Sequence, residues 1–290
     1  YKAEFILKIE PPTLDELEYF RPGQTLISAL QMGNLKQECI NVLLKKRVTA
    51  LAYGFIEDKV GGMPIVRAMS EIAGSTVMLI AAEYLSTVNK GKGIILGGIT
   101  GVPPTKVVII GAGTVAEYSA RAALSLGAEI QVFDNHLYKL RRIKHTLGHQ
   151  FYTSTIDTIT LSESLKNADV VIGALRAEKG KVRHVVSEEM VKQMKPDSLI
   201  IDLSIDQGGC IETSETTTLN RPVFRKHDII HYCVPNVASR VATTATTALS
   251  NIFTPTILRA AEEGGVEEMI FSHKWFMKGV YTYKGSLTNE

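Results

Sequence analysis

Short apolar runs alternate with longer amphipathic stretches along almost the whole chain. Buried parallel strands joined by crossover helices read this way, so the pattern predicts an α/β fold. FILKI (5–9), TLISAL (25–30) and VTALAYG (48–54) predict the first three strands. Between the last two, Leu35, Cys39, Val42 and Leu43 recur at helical spacing on one face. A helix over 66–88 comes next; it is too long for a routine crossover, which predicts a link between two lobes. The glycine-rich GKGIILGGITGVPP (91–104) has turn chemistry and no strong periodicity. From Lys106 the alternation is regular. KVVIIGA is a buried strand, and Thr114 to Leu126 is a helix ended by Gly127. EIQVFD is the next strand, and YKLRRIKHTLG is a charged helix closed by Gly148. DVVIGAL (169–175), SLIIDLS (198–204) and DIIHYCV (228–234) predict further strands. SEEMVKQM (187–194) is a helix with Ser187 as N-cap and Glu188 and Glu189 suited to its positive first turn. Met190 occupies the position that a capping box gives to an acid or amide. A threonine-rich helix from Ala242 to Ile257 is predicted to cross back to the first lobe. There is no internal repeat.

One junction in this pattern carries chemistry. The strand VVII runs straight into Gly111-Ala112-Gly113-Thr114-Val115-Ala116, a G-x-G-x-x-A turn. Gly111 allows the tight turn, Gly113 removes a side chain that would block a pyrophosphate, and the small Ala116 lets helix and strand pack closely. The helix start at Thr114 offers free N–H groups and a positive dipole end to phosphates. About 20 residues further on, Asp134 ends the next strand, where a carboxylate can hold both ribose hydroxyls. Strand, turn, helix, strand and acid in register predict a Rossmann-type site for a dinucleotide. The competing reading is a glycine turn in a cofactor-free α/β domain. Asp134 would repel a 2′-phosphate, so NAD is favoured over NADP. Lys139, Arg141 and Arg142 on the following helix read as a solvated charged face.

Composition narrows the partners. The 290 residues suffice for one large or two ordinary domains, and 45% hydrophobic with 21% charged residues is ordinary globular composition. The net charge of +2 creates no long-range field toward nucleic acid or anionic lipid. Cys39, Cys210 and Cys233 are odd in number and lack metal-type spacing. They predict buried thiols in a reducing, cytoplasmic compartment and no metal. No apolar run approaches the ~18 residues of a membrane span; the most apolar helical stretch, 75–85, is broken by Glu83. The chain opens at Tyr1 and enters a strand almost at once, which reads as a fragment whose beginning is missing.

MSEIAG (Met69–Gly74), GGITGV, VVIIGAGTV, IDQGGC (Ile205–Cys210) and YCVPN (Tyr232–Asn236) stand in order along the chain. In these blocks the chain resembles the family of alanine dehydrogenase and the NAD(H)-binding component of proton-translocating transhydrogenase. The resemblance implies two lobes with cofactor and substrate between them. Residues 66–238 would form the Rossmann NAD(H)-binding domain. Residues 1–65, completed by 239–290, would form a truncated Rossmann-like or flavodoxin-like substrate domain. It also implies a homo-oligomer, dimer or hexamer. By position, Ser70 would approach the cofactor phosphates, with Thr114 and Val115 under the pyrophosphate, Asp134 and Lys139 near the adenosine, and Leu175 at the adenine or its ribose. Leu203, Ser204, Ile205 and Asp206, with Val234, Pro235, Asn236 and Val237, would frame the nicotinamide. Asp206 falls on the family's catalytic aspartate; its bland alternative is a cap before a glycine pair. Gln207 in IDQGGC matches the dehydrogenase form of that block.

Two positions depart from the family. The K-x-K-E-P stretch, whose second lysine binds the substrate carboxylate, stands here as Lys8-Ile9-Glu10-Pro11-Pro12. Glu10 would repel a carboxylate, and Lys8, two residues away in a strand, is read as its partner. The family's catalytic histidine falls on Gln31, which donates and accepts hydrogen bonds but takes up no proton. The substrate arginine falls before Tyr1. His227 and His231 are placed on one face of the last strand, with His231 read as a hydrogen-bonded sheet histidine. His136, His145, His149, His184 and His273 are read as surface or loop residues. Three functions follow: an NAD-dependent deaminating dehydrogenase of alanine or a related amino acid, an NAD(H) carrier of transhydrogenase type, and a non-catalytic NAD(H)-binding regulator.

Overall fold

The computed structural model describes residues 1–30, 35–176 and 183–288; Gln31 lies outside the described residues. In chain order the strands are β1 Phe5–Leu7, β2 Thr25–Ser28, β3 Thr49–Ala52, β4 Lys106–Ile110, β5 Glu129–Phe133, β6 Tyr152–Ser154, β7 Val170–Gly173, β8 Leu199–Asp202, β9 Val223–Lys226, β10 Ile229–Tyr232, β11 Val280–Tyr283 and β12 Ser286–Leu287. The helices are α1 Leu14–Glu18, α2 Gln37–Lys45, α3 Pro64–Leu85, α4 Thr114–Ser125, α5 Leu137–Leu147, α6 Thr158–Asn167, α7 Glu188–Lys192, α8 Ala242–Glu262, α9 Val266–Ser272 and α10 Lys274–Met277. The chain forms two compact units, Tyr1–Ala68 with Thr246–Glu290, and Met69–Ala245. It passes from one to the other inside α3 and α8.

In the first unit the strand order is β1-β2-β3-β11-β12. β1 to β3 are parallel, as the apolar runs predict. β11 and β12 are antiparallel additions that the alternation did not reveal. The register slips between Val280 and Thr282, and the Thr282 hydroxyl closes the gap. It accepts from the Ala50 amide at 3.1 Å and donates to the Val48 carbonyl at 2.8 Å. Short α1 escaped notice because five residues are too few for a periodic signal, although Thr13 and Glu16 form a full capping box. At its other end Lys46 Nζ donates to the carbonyls of Leu17, Glu18 and Phe20 at 2.7, 2.7 and 2.8 Å. Leu17, Leu26, Cys39 and Leu43 share one core, so the predicted apolar face of α2 is the buried one.

In the second unit the order is β6-β5-β4-β7-β8-β10-β9. All pairings are parallel except β9 with β10. Both faces are covered: Val107 and Ile109 pack on one side with Ala116 and Ala120, Val108 and Ile110 on the other with Leu161 and Leu165. Two-sided burial is why these strands read as unbroken apolar runs. β9 is mostly half-exposed, which hid it. α3 is longer than its most apolar stretch suggested and could cross a bilayer by length and composition alone. Here Val77, Met78, Ile80, Ala81 and Leu85 on that helix are buried in the core of the unit, which accounts for its apolar character.

Asp169, just before β7, ties the amino ends of the strands together. Its carboxylate accepts from Lys92 Nζ at 2.6 Å, Lys195 Nζ at 3.3 Å and the Lys106 amide at 3.0 Å. Burial by itself raises the carboxyl pKa; the Lys106 amide and the two lysines outweigh it and hold it below the ordinary range. A depressed carboxylate stabilises the fold above its unfolded pKa, and that contribution is lost as pH falls through the folded value. Asp169→Asn is therefore expected to lower unfolding free energy at neutral pH by ~1.5–3 kcal/mol. Denaturant titration should show the gap from wild type closing as the medium is acidified below about pH 4.

Candidate functional site

Because β4, β5, β7, β8 and β10 are parallel, their carboxyl ends lie along one edge of the sheet. β4 and β7 are the central neighbours from which the chain winds outward in both directions, the point where open α/β sheets form ligand crevices. The turn Gly111-Ala112-Gly113 leaves β4 there. Gly111 has φ +114°, and a Cβ on it would stand 2.5 Å from the Ala174 carbonyl oxygen, so both backbone and packing demand glycine. Gly113 differs. Its φ is −80°, open to any residue, and a Cβ would meet nothing within 4 Å. It is the N-cap of α4 and supplies no capping side chain, so no cap hydrogen bond occupies the first-turn N–H groups of Thr114 and Val115. Gly74 on α3 packs against that first turn; a Cβ would be 2.5 Å from the Val115 carbonyl oxygen. Ser70 lies one turn before Gly74 on the same helix face, half-buried.

Asp134 is 4% exposed and already engaged. Oδ2 accepts from the Ala112 amide at 2.8 Å, and Oδ1 accepts from the His136 amide at 2.8 Å. The His136 ring Nδ1 lies 3.0 Å from Oδ1. The acid thus clasps the glycine turn itself. Its histidine neighbour, read from the sequence as a surface or loop residue, is thus tied to the acid two positions before it. Arg142 is not merely a solvated cation: it donates to the Ala112 carbonyl at 3.0 Å and reaches Glu117 at 3.4 Å. Lys139 stays half-buried in the first turn of α5, over the Tyr138 ring.

The other predicted residues stand at the ends of β7, β8 and β10. Ser204, buried, donates its hydroxyl to the Leu175 carbonyl at 2.8 Å. Leu203 is half-buried, and Ile205 is buried at the start of a 3-10 turn that carries Asp206. Val234 and Val237 are buried, with Pro235 and Asn236 between them. Asn236, at φ +51°, starts the turn into α8, and its amide points at Asp206 Oδ2 from 3.5 Å. Asp206 keeps solvent-exposed surface, while crowding by neighbouring atoms pushes its carboxyl above the ordinary range; the Asn236 amide opposes this. Sequence reasoning passed over Asp202, four residues earlier. It is fully buried, and its carboxylate accepts from the amides of Ser204, Cys210 and Ile211 and from the Ser214 hydroxyl. An acid closing a buried strand was the signal.

Two expectations are corrected. Lys8 pairs with Glu16, at 3.2 Å, not with Glu10, because β1 ends at Leu7 and strand alternation does not extend to either residue. Glu10 is exposed; its charge acts on Tyr53, whose phenol burial and Glu10 together push upward. His227 is not in the strand but in the β9–β10 turn at φ +53°, against Glu188 at 2.5 Å. His231, by contrast, is a satisfied sheet histidine. The Ile229 carbonyl at 3.0 Å can only accept, so Nδ1 carries the hydrogen, and Nε2 accepts from Thr213 at 2.8 Å. Cys39, Cys210 and Cys233 are free and buried, and no group of metal-ligating side chains occurs among the described residues.

A doubly wound sheet of this order, with a glycine turn at its switch point and an acid ending the next strand, defines a dinucleotide-fold α/β protein. The chain belongs to the alanine dehydrogenase/PNT family: residues 1–73 match the model of its N-terminal domain and 77–290 that of its C-terminal domain. It is 37% identical to the alanine dehydrogenase of Mycolicibacterium smegmatis over 289 residues, 100% of this chain and 77% of that protein. The solved structure of an L-alanine dehydrogenase superposes with TM-score 0.93 at 30% identity, covering 99% of this chain and 79% of that one. The transhydrogenase from Sinorhizobium meliloti shares the fold, with TM-score 0.82 at 22% identity over 99% of this chain and 80% of that one.

Burial drives the His231 pKa down to about 4, helped by Lys226 and His227 and opposed by the Ile229 carbonyl. Below its unfolded value near 6.5 the unfolded chain takes up a proton that the native ring refuses until about 4. Stability therefore falls across that window, by ~3 kcal/mol for this group. NMR titration of the ring should give a midpoint near 4; a midpoint near 6.5 contradicts the buried, doubly bonded neutral ring.

Proposed function

We propose that the chain is an NAD-dependent oxidoreductase of the alanine dehydrogenase type, deaminating a small L-amino acid to its 2-oxo acid. The observation that carries the reading is Gly113. Neither its backbone angle nor its packing calls for glycine, so the missing side chain leaves room for something outside the protein. A pyrophosphate over the first turn of α4 meets that description, being anionic and served by unoccupied N–H groups. Ser70, Gly111, Thr114 and Val115 then surround the phosphates. Asp134, Lys139 and Leu175 take the adenosine, with Asp134 adding ribose hydroxyls to the loop amide it already holds.

NAD held there would supply the hydride acceptor for the substrate α-carbon; the amine proton would pass to solvent, and water would convert the resulting imine to the 2-oxo acid and ammonia. Residues 203–206 and 234–237 frame that reaction, and Asp206 orients the water or ammonia. Its raised pKa eases uptake of a proton from that water. In the substrate half, Glu10 stands where the family binds a carboxylate with lysine, and Gln31 where it has histidine. A carboxylate at Glu10 suits a substrate that presents a cation, or no substrate at all. The second reading therefore stays that of an NAD(H) carrier or regulator. We place the protein in the cytoplasm, where its thiols stay reduced, as a homo-oligomer.

Incubation of the protein with NADH, ammonium and a panel of 2-oxo acids, cationic side chains included, is expected to consume NADH with at least one acid. Tight NADH binding without turnover on any acid would move the assignment to the carrier or regulator.

Gly113→Ala isolates the cofactor claim. Alanine is a poorer N-cap than glycine by up to ~1 kcal/mol, so the melting midpoint should move by no more than about 2–4 °C. NADH affinity, followed by nucleotide fluorescence, should fall at least about tenfold, which is ~1.4 kcal/mol. Unchanged affinity would remove the main support for the site.

A further inference from the structure

Asp202 is 0% exposed at the carboxyl end of β8, and among the described residues no lysine or arginine pairs with it. A buried carboxylate without a cation has to be held by dipoles. Oδ1 accepts from the Ser204 amide at 3.0 Å and faces the Cys210 thiol at 3.7 Å. Oδ2 accepts from the Cys210 amide at 2.9 Å, the Ile211 amide at 3.3 Å and the Ser214 hydroxyl at 2.8 Å. Every donor belongs to residues 204–214, the segment that carries Asp206. Two glycines clear the space: a Cβ on Gly173 would be 2.8 Å from Oδ1, and a Cβ on Gly209 would be 2.9 Å from Oδ2. Gly209 also needs its φ of +78°.

Between the clamped ends, the turn closes on itself. The Gln207 and Gly209 amides donate to the Ser204 carbonyl at 2.9 and 3.0 Å, and the Gly208 amide donates to Ile205 at 3.0 Å. Ser204 lies two residues before Asp206 and Cys210 four residues after it. One carboxylate therefore grips both ends of the turn that presents Asp206. The run Ile205 to Cys210 reads as a wrapping for Asp202 as much as a frame for Asp206.

We infer that Asp202 is the positioning residue of Asp206, acting through the turn and never touching substrate. The inference rests on the proposed catalytic place of Asp206. The two nearest substitutes fit the role less well. Asparagine has one acceptor oxygen, so its amide nitrogen would face the donors on one side or the other. Glutamate is longer by a methylene, which carries its oxygens away from the positions these donors meet.

The test compares Asp202→Asn, Ser214→Ala, Asp206→Asn and the double variant Asp202→Asn/Asp206→Asn in the whole protein. In Asp202→Asn, kcat should fall at least about tenfold while the KM for NADH rises by clearly less, since the pyrophosphate and adenosine residues Gly111–Gly113 and Asp134 lie on other strands and only the nicotinamide frame of residues 203–206 is loosened. Ser214→Ala, which loses one donor, should shift kcat the same way by less. The double variant should be no slower than Asp206→Asn, because a residue acting through another adds nothing once that other is gone. An unchanged kcat in Asp202→Asn, loss of NADH binding along with kcat, or multiplicative effects in the double variant each overturn the inference. Amide hydrogen exchange provides a readout independent of turnover: residues 203–211 should exchange faster in Asp202→Asn while β4 and β5 do not change. Unaltered exchange there overturns the positioning role. Absence of turnover in the wild type instead counts against the dehydrogenase reading, with the exchange result still deciding the clamp.

Discussion

The hydrogen-bond ladder of the seven-stranded sheet does not stop where its strands do. The Gly111 amide still donates to the Phe133 carbonyl at 2.6 Å, Ala174 to Ile110 at 2.8 Å, and Leu203 to Gly173 at 2.8 Å. Each bond carries parallel pairing one residue past the strand into a loop of the candidate site. Buried backbone groups must find partners, and here they find them across neighbouring strand ends. The glycine turn, the Leu175 segment and the Asp206 turn are thereby placed with the precision of the sheet. Gly111 can only be glycine because the Ala174 carbonyl, one such end, comes so close.

Three buried or nearly buried aspartates finish what the ladder begins. Asp169 gathers two lysines and an amide at the amino edge. At the carboxyl edge Asp134 holds the glycine turn by the Ala112 amide, and Asp202 holds the turn around Asp206. The two carboxyl-edge acids meet mainly backbone N–H groups, which lie at the strand ends and lose their partners where the ladder finishes. A carboxylate offers several acceptor sites in one small group, so it can satisfy several such amides at once. The cofactor half of the protein thus reads as a sheet edge whose loops are tied down from within, leaving the first turn of α4 uncovered.

The substrate half has a different character. Glu10 lies in solvent after β1, its charge acting on Tyr53, with its neighbouring lysine drawn off to Glu16. Family membership covers both halves.

Much of this was legible in the chain. The parallel core strands, α2, α3, α4 and α5, the cap at Ser187 and the glycine turn follow from apolar runs, helical spacing and Gly chemistry, all of which are local in sequence. The antiparallel strands β9, β11 and β12 and the short α1 were not, since half-exposed or very short segments leave no periodic trace. Pairing of side chains was least legible. Lys8 turned to Glu16, Arg142 to Ala112 and Glu117, and His136 to Asp134, because partners are selected by distance after folding and not by separation along the chain. The sequence by itself determined that a nucleotide-type turn would sit between a buried strand and a helix. Only the tertiary structure decided that Asp202, an unremarked acid at a strand end, would be sealed from water and thereby made to organise the turn that carries Asp206. Burial turns an ordinary carboxylate into one that must satisfy every acceptor it has.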